Sequence, residues 1–166
     1  MRYNSIRKLD ISNGPGPRVS LFTQGCNIYC PGCFNSELWD YSKGKEFTHK
    51  EKKLICDLVS DPYIEGLSIL GGEPLSNQNV DTLFDLCQEI KHRFCFSKSI
   101  WLWTGKTLTA RYLSLLPLAE YLDVIVDGPF EQELQDTSLQ FRGSSNQRII
   151  DVQKSLNAHK VIPYEV

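Results

Sequence analysis

Short apolar runs alternate with helix-length amphipathic stretches along most of the chain. Residues 19–22, 67–70, 100–103 and 123–126 are apolar-rich runs of strand length. Between them, apolar residues recur at helical spacing. Leu54, Ile55, Leu58 and Val59 follow Thr48-His49-Lys50-Glu51, which has the form of a capping box, and Asp61-Pro62 ends that helix. Val80, Leu83, Phe84, Cys87, Ile90 and Phe94 make one stripe with a period of about 3.6 residues and predict the best-defined helix, over 79–94. A further helix is predicted over 108–116. Near the C-terminus the pattern weakens: 147–152 reads as a strand and 152–159 as a short final helix. Asn13-Gly14-Pro15-Gly16-Pro17-Arg18 is a turn, because its prolines exclude regular pairing. No internal repeat, low-complexity tract or linker divides the chain.

Each early strand runs directly into glycine-rich or polar residues. After 19–22 comes a loop rich in cysteine; after 67–70, Gly71-Gly72-Glu73-Pro74; after 100–103, Thr104-Gly105-Lys106; after 123–126, Asp127-Gly128-Pro129. Strands at helix-sized intervals are the pattern of repeated βα units, so the expected fold is α/β with a mainly parallel sheet. Ligands in such folds bind at the carboxyl ends of the strands, which would bring these segments together. Each segment alone would be an ordinary turn. Four in phase beside a cysteine loop predict one site.

Composition narrows the function classes. The chain has 166 residues, the size of a single domain spanning 1–166, with 41% hydrophobic and 23% charged residues. A formal net charge of −2 and the lack of a basic run offer no field for a nucleic-acid backbone. The first residues lack the apolar core of a signal peptide, and no apolar run approaches membrane-spanning length. Six cysteines without an export signal predict a cytoplasmic protein whose thiols serve metal or redox chemistry rather than disulfides.

Three of those cysteines, Cys26, Cys30 and Cys33, are spaced C-x3-C-x2-C. One short loop must turn all three toward a common place. Cys30-Pro31-Gly32-Cys33 also has the spacing of a dithiol redox pair, which leaves Cys26 unused. Structural zinc takes four ligands, and the nearest histidine, His49, falls in a predicted helix. An electron-transfer cluster needs a fourth ligand that the sequence does not display. Three thiolates suit three corners of a [4Fe-4S] cluster, leaving one iron open. Cys87 lies on an apolar stripe as a small core residue, and Cys56 and Cys95 are isolated.

C-x3-C-x2-C after the first apolar run resembles the signature of radical S-adenosylmethionine enzymes. The chain is most similar to the subgroup that activates anaerobic (class III) ribonucleotide reductase. Nearly the whole length takes part: Asn13-Gly14-Pro15-Gly16 with Arg18, Cys30-Pro31-Gly32-Cys33-Phe34-Asn35, Gly71-Gly72-Glu73-Pro74, Trp101-Leu102-Trp103-Thr104-Gly105, Val126-Asp127-Gly128 and Arg142-Gly143-Ser144-Ser145-Asn146-Gln147 match it. The wider superfamily usually has an aromatic before the third cysteine; here Gly32 stands there and Phe34 follows. Some relatives carry aspartate in place of Glu73.

The resemblance implies a small open or incomplete βα barrel of the radical S-adenosylmethionine type. It implies a [4Fe-4S] cluster on Cys26, Cys30 and Cys33 whose open iron takes the amino and carboxylate groups of S-adenosylmethionine. Reductive cleavage would give methionine and a 5′-deoxyadenosyl radical, which would take a hydrogen from a glycine of the reductase large subunit. A low-potential donor such as flavodoxin would supply the electron. The implied cofactor-contacting set is Gly32, Cys33, Phe34, Gly71, Gly72, Glu73 and Asp127, with no catalytic side chain assigned. Gly71 and Gly72 would let backbone approach the methionine amino group. Glu73 would pair with the ammonium or only shape its turn, and Phe34 would lie against adenine or in the core. Asp127 would sit near the adenosyl group or the incoming peptide, or be a turn aspartate. Trp101 and Trp103 read as filler on one strand face, and Lys106, Arg142 and Arg148 as solvated charges. A chain this short leaves little sequence for a lid, so the partner itself is expected to close the site.

Overall fold

The computed structural model describes residues 1–165. Its centre is one seven-stranded sheet in the order β3-β1-β2-β4-β5-β6-β7, open between its two edges. The predicted strands are β2 (Arg18–Thr23), β4 (Gly66–Gly71), β5 (Ser99–Thr104), β6 (Val124–Asp127) and β7 (Arg148–Asp151). The helices are α1 (His49–Val59), α2 (Val80–Arg93), α3 (Ala110–Leu115) and α4 (Val152–Ala158). β2, β4, β5 and β6 lie side by side in chain order and run parallel. β7 returns antiparallel on β6, because no crossover helix separates them.

Two strands were not visible in the pattern. β1 (Arg2–Asp10) pairs antiparallel with β2, and register shifts at Tyr3/Ser5 and Arg7/Asp10 break the alternation that would have revealed it. β3 (Lys45–Glu46) is two exposed residues paired with Arg2 and Tyr3.

The sheet faces follow the two-residue period of a strand. Val19, Leu21, Leu67, Ile69, Ile100, Leu102, Ile125 and Ile150 belong to the large core that also contains Ile55, Leu83, Leu113 and Val152 of the helices. The opposite face carries Phe22 and Leu70 in one cluster and Trp101, Val124, Val126 and Ile149 in another. All four helices thus contribute to one core on one face of the sheet. The predicted capping box is present: Thr48 accepts from Lys50 N–H at 3.2 Å, and the Glu51 carboxylate accepts from Thr48 N–H at 2.7 Å. On α2 the buried positions are Leu83, Leu86, Cys87, Ile90 and Lys91, the last paired with Asp123 at 2.6 Å.

Arg18 stitches the amino-terminal end of the face opposite the helices. Fully buried, it donates to Ser68 Oγ (2.7 Å), Ser99 Oγ (2.8 Å), Leu67 O (2.9 Å) and Ser99 O (3.0 Å). Burial pulls its pKa down to about 10. Those neutral acceptors satisfy a charge that would otherwise be costly to enclose.

Candidate functional site

The segments that follow β2, β4, β5 and β6 meet around a cavity of about 370 Å³. Cys26, Cys30, Cys33 and Phe34 line it from the first segment, Gly71, Gly72 and Glu73 from the second, Thr104 and Gly105 from the third, and Gly128 from the fourth. The four in-phase segments therefore share one site at the carboxyl ends of the parallel strands, where such folds bind ligands.

The cysteine loop is held open by its neighbours rather than by its own regular structure. Gly25 N–H donates to the carbonyl of the buried Leu38 (2.7 Å) and Cys26 N–H to that of its neighbour Trp39 (3.1 Å). Cys33 N–H donates to Cys30 O (3.1 Å), and Asn35 N–H points at Cys33 Sγ (3.4 Å). All three thiols are free and partly exposed. Burial raises the pKa of Cys26 and Cys30, while backbone N–H groups oppose the shift. Among the described residues no three His, Cys, Asp or Glu groups converge as they would on a single metal ion. A cubane instead needs thiolates spread over three corners, as a loop with sulfurs lining one cavity can supply. Of the six cysteines only these three line the cavity; Cys56 and Cys87 are buried in the helical core and Cys95 lies beyond α2.

The Gly-Gly-Glu turn is bonded directly to the cysteine loop. Gly72 N–H donates to Thr23 O (2.9 Å) and Glu73 N–H to Gly25 O (2.7 Å). A Cβ on Gly72 would lie 2.3 Å from Gly25 O, so the two backbones touch where a side chain would stand. The Glu73 side chain is fully buried: Oε1 accepts from Leu75 N–H (2.8 Å) and Thr104 Oγ1 (2.7 Å), and Oε2 from Gly105 N–H (2.9 Å). Glu73 thus fastens the β4 segment to the β5 segment, and burial raises its pKa. A carboxylate has about four acceptor positions, so one remains after these three bonds. Asn79, which sequence reasoning missed, supports the site without lining the cavity. Its amide donates to Glu73 O (3.0 Å) and Gln24 O (3.3 Å), bracing both segments from the start of α2.

Two members of the expected set stand apart from the cavity lining. Gly32 has φ +72°, and a Cβ there would meet the Gln132 side chain. Asp127 is fully buried and accepts from Arg148 Nε (2.9 Å) and Leu108 N–H (2.7 Å), tying β6 to β7. Phe34 lines the cavity, is 64% exposed, and packs on Phe130 at 5.0 Å between ring centroids.

Residues 128–147 build a wall that no periodicity announced. Phe130, Leu139, Phe141, Arg142, Gly143 and Gln147 all face the cavity. Gln147 pins the segment, accepting from Gly143 N–H (2.8 Å) and Ser144 N–H (3.2 Å) and donating to Gly128 O (3.0 Å). Trp103, expected as filler, lines the cavity as well and donates Nε1–H to Phe141 O (2.7 Å). Trp101 is buried filler, tilted against Trp103 and met edge-on by Phe141 and Tyr164. The Trp-Leu-Trp spacing held a signal for Trp103, since alternate residues share one sheet face.

Residues 12–150 match a family profile described as a 4Fe-4S single cluster domain. The anaerobic ribonucleoside-triphosphate reductase-activating protein of Salmonella typhimurium is 44% identical over 150 residues, spanning 89% of this chain and 96% of the relative. The protein of the same description from Escherichia coli K12 is 41% identical over 149 residues (89% and 96%), and that of bacteriophage T4 41% over 149 residues (90% and 93%). Matches of this extent, over a chain whose cysteine loop and Gly-Gly-Glu turn share one cavity, place it in the family of anaerobic ribonucleoside-triphosphate reductase-activating proteins.

Proposed function

We propose that the protein activates an anaerobic ribonucleotide reductase by reductive cleavage of S-adenosylmethionine at a [4Fe-4S] cluster on Cys26, Cys30 and Cys33. The single observation that carries this reading is the union of three free thiols and the Gly-Gly-Glu turn in one cavity. The donor set fits the group: three thiols line the space and no fourth cysteine does. That pattern supports an iron left open for a ligand over a closed electron-transfer centre. When bound, the reduced cluster would supply one electron to S-adenosylmethionine, yielding methionine and a 5′-deoxyadenosyl radical that takes a hydrogen atom from a glycine of the reductase.

The chain's own residues bind, orient and shield. The Gly71-Gly72 backbone lies against the cysteine loop, and the remaining acceptor position of Glu73 suits an ammonium. Leu70, Trp103 and Phe141 give the cavity apolar walls that limit water. The open sheet, with strands in chain order and helices on one face, supports an incomplete barrel of the radical S-adenosylmethionine type. The exposed Phe34 beside the mouth suits a partner loop that completes the enclosure. A reducing cytoplasmic setting accords with six free cysteines, and a low-potential flavodoxin-like donor would supply the electron.

The test is anaerobic reconstitution, reduction, and mixing with S-adenosylmethionine and the reductase. A glycyl-radical signal by electron paramagnetic resonance is expected, lost when the acceptor glycine is alanine. Methionine and 5′-deoxyadenosine without any signal on the reductase would leave the radical chemistry and remove the partner assignment.

A further inference from the structure

Cys30-Pro31-Gly32-Cys33 has the spacing of a dithiol pair, and the reading above uses its two thiols only as ligands. The tetrapeptide is closed as a turn. Cys33 N–H donates to Cys30 O at 3.1 Å, with Pro31 in the second position and Gly32 in the third at φ +72°. Proline followed by a positive-φ glycine is the pattern of a type II turn, whose end Cα atoms lie less than about 7 Å apart. A disulfide spans Cα distances of about 4.4–6.8 Å, so the turn holds Cys30 and Cys33 near bridging distance. Both thiols are free, partly exposed and line the cavity, where a small oxidant can reach them.

Cys26 is held apart from this pair. Its N–H is bonded to Trp39 O at 3.1 Å, and the neighbouring Gly25 carbonyl is occupied by Glu73 N–H. Tyr29, at φ +54°, lies between it and Cys30, and among the described residues no backbone hydrogen bond closes 26–30 into a turn. The three cysteines are thus a set of three toward a cluster and a pair plus one without it.

We propose that the metal-free protein forms an internal Cys30–Cys33 disulfide, a reversible modification that blocks cluster loading until a dithiol reductant opens it. The oxidant is a low-molecular-weight disulfide of the glutathione class. One cysteine thiolate attacks it and releases the first small thiol, leaving a mixed disulfide; the second cysteine attacks that bond and releases the other. The pair is oxidised by two electrons, the small disulfide is reduced by two, and the two cysteine protons end on the released thiols. Two of the three ligand sulfurs are then tied to each other, and a metal needs them as thiolates. The bridge also keeps both sulfurs from irreversible oxidation to sulfinic acid. Bridging is independent of the cluster reading, and only its effect on iron loading rests on that reading.

The experiment equilibrates the chain, freed of metal by chelation and with its fold followed by circular dichroism, in glutathione buffers of graded redox ratio. Free thiols are alkylated, bridges are then reduced and marked with a second reagent, and the peptides are assigned by mass spectrometry. Oxidation is expected to lower the free thiols from six to four, with the second mark on Cys30 and Cys33 alone. Cys33→Ser should stop at a glutathione adduct on Cys30. Gly32→Ala, which puts a side chain on a left-handed residue, should lower the ratio of bridged to open protein about tenfold in the same buffer. A bridge that involves Cys26, a mixture of pairings, six free thiols, or a ratio untouched by Gly32→Ala would overturn the inference. So would bridged protein that takes up iron and sulfide without a dithiol as fully as the open form does. Open protein that takes up no iron would remove the cluster reading and leave the bridge standing.

Discussion

Gly72→Ala separates two reasons for a glycine at the Gly-Gly-Glu turn. One reason is ligand access, which the sequence suggests; the other is backbone packing, which the structure shows. The added Cβ would stand 2.3 Å from Gly25 O, 2.9 Å from Gly25 C and 3.0 Å from Gly25 N, closer than real Cβ contacts. These are backbone atoms, so no side-chain rotation relieves the clash. The turn must retreat from the cysteine loop, stretching the bond from Glu73 N–H to Gly25 O. Overpacking costs about 1–3 kcal/mol and the weakened hydrogen bond about 1 more, for a total of about 2–4 kcal/mol. With a urea slope of about 2 kcal/mol per molar, the unfolding midpoint of the metal-free protein should fall by about 1–2 M. Anaerobic urea titration by circular dichroism reads that shift, and iron per chain after reconstitution should fall with it, because the cysteine loop loses its support. The reasoning is refuted if the midpoint and the iron content match wild type while S-adenosylmethionine affinity alone is lost. The glycine would then serve ligand access.

Other variants test the ligand set and the buried carboxylate. Cys30→Ala should lose the cluster absorbance of reconstituted protein, whereas Cys87→Ala, whose thiol burial keeps protonated in the helical core, should retain it and lose only about 1–2 kcal/mol of stability. Burial raises the Glu73 pKa above its ordinary 4.5, so the folded state holds that proton more tightly than the unfolded chain does. Its contribution to stability therefore falls as pH rises from 4.5 through the raised folded value. Urea midpoints of wild type minus Glu73→Gln, compared across that window, should decline with pH; a rising difference would show that the three hydrogen bonds outweigh burial.

The parallel core of the fold was legible because its signals are local. Apolar runs at 19–22, 67–70 and 100–103 stand as β2, β4 and β5, and Thr48 and Glu51 cap α1 through their own side chains. β1 escaped because its pairing with β2 shifts register twice, and an interrupted alternation reads as loop. The site divides in the same way. The cysteine spacing and the in-phase glycine turns are short-range features, and the cavity contains both. Asn79, Phe141 and Gln147 act through bonds to backbone far along the chain or within an irregular segment, where no period exists to detect. Glu73 illustrates the limit: its two candidate roles differ only in where its oxygens point, and three of its bonds go to Leu75, Thr104 and Gly105.

The coincidence of strand order with chain order has a consequence for biosynthesis. Apart from the two-residue β3, each strand from β2 onward joins the edge left by the one before it. A chain emerging from the ribosome can therefore grow its sheet by successive addition, each new strand finding its neighbour already made. The cysteine loop is synthesised early, with β2, and the 128–147 wall is synthesised near the end. Until that wall arrives, the three thiols face solvent on the side it later borders. That side of the cavity is therefore walled only after the cysteine loop and the four parallel strands have been made.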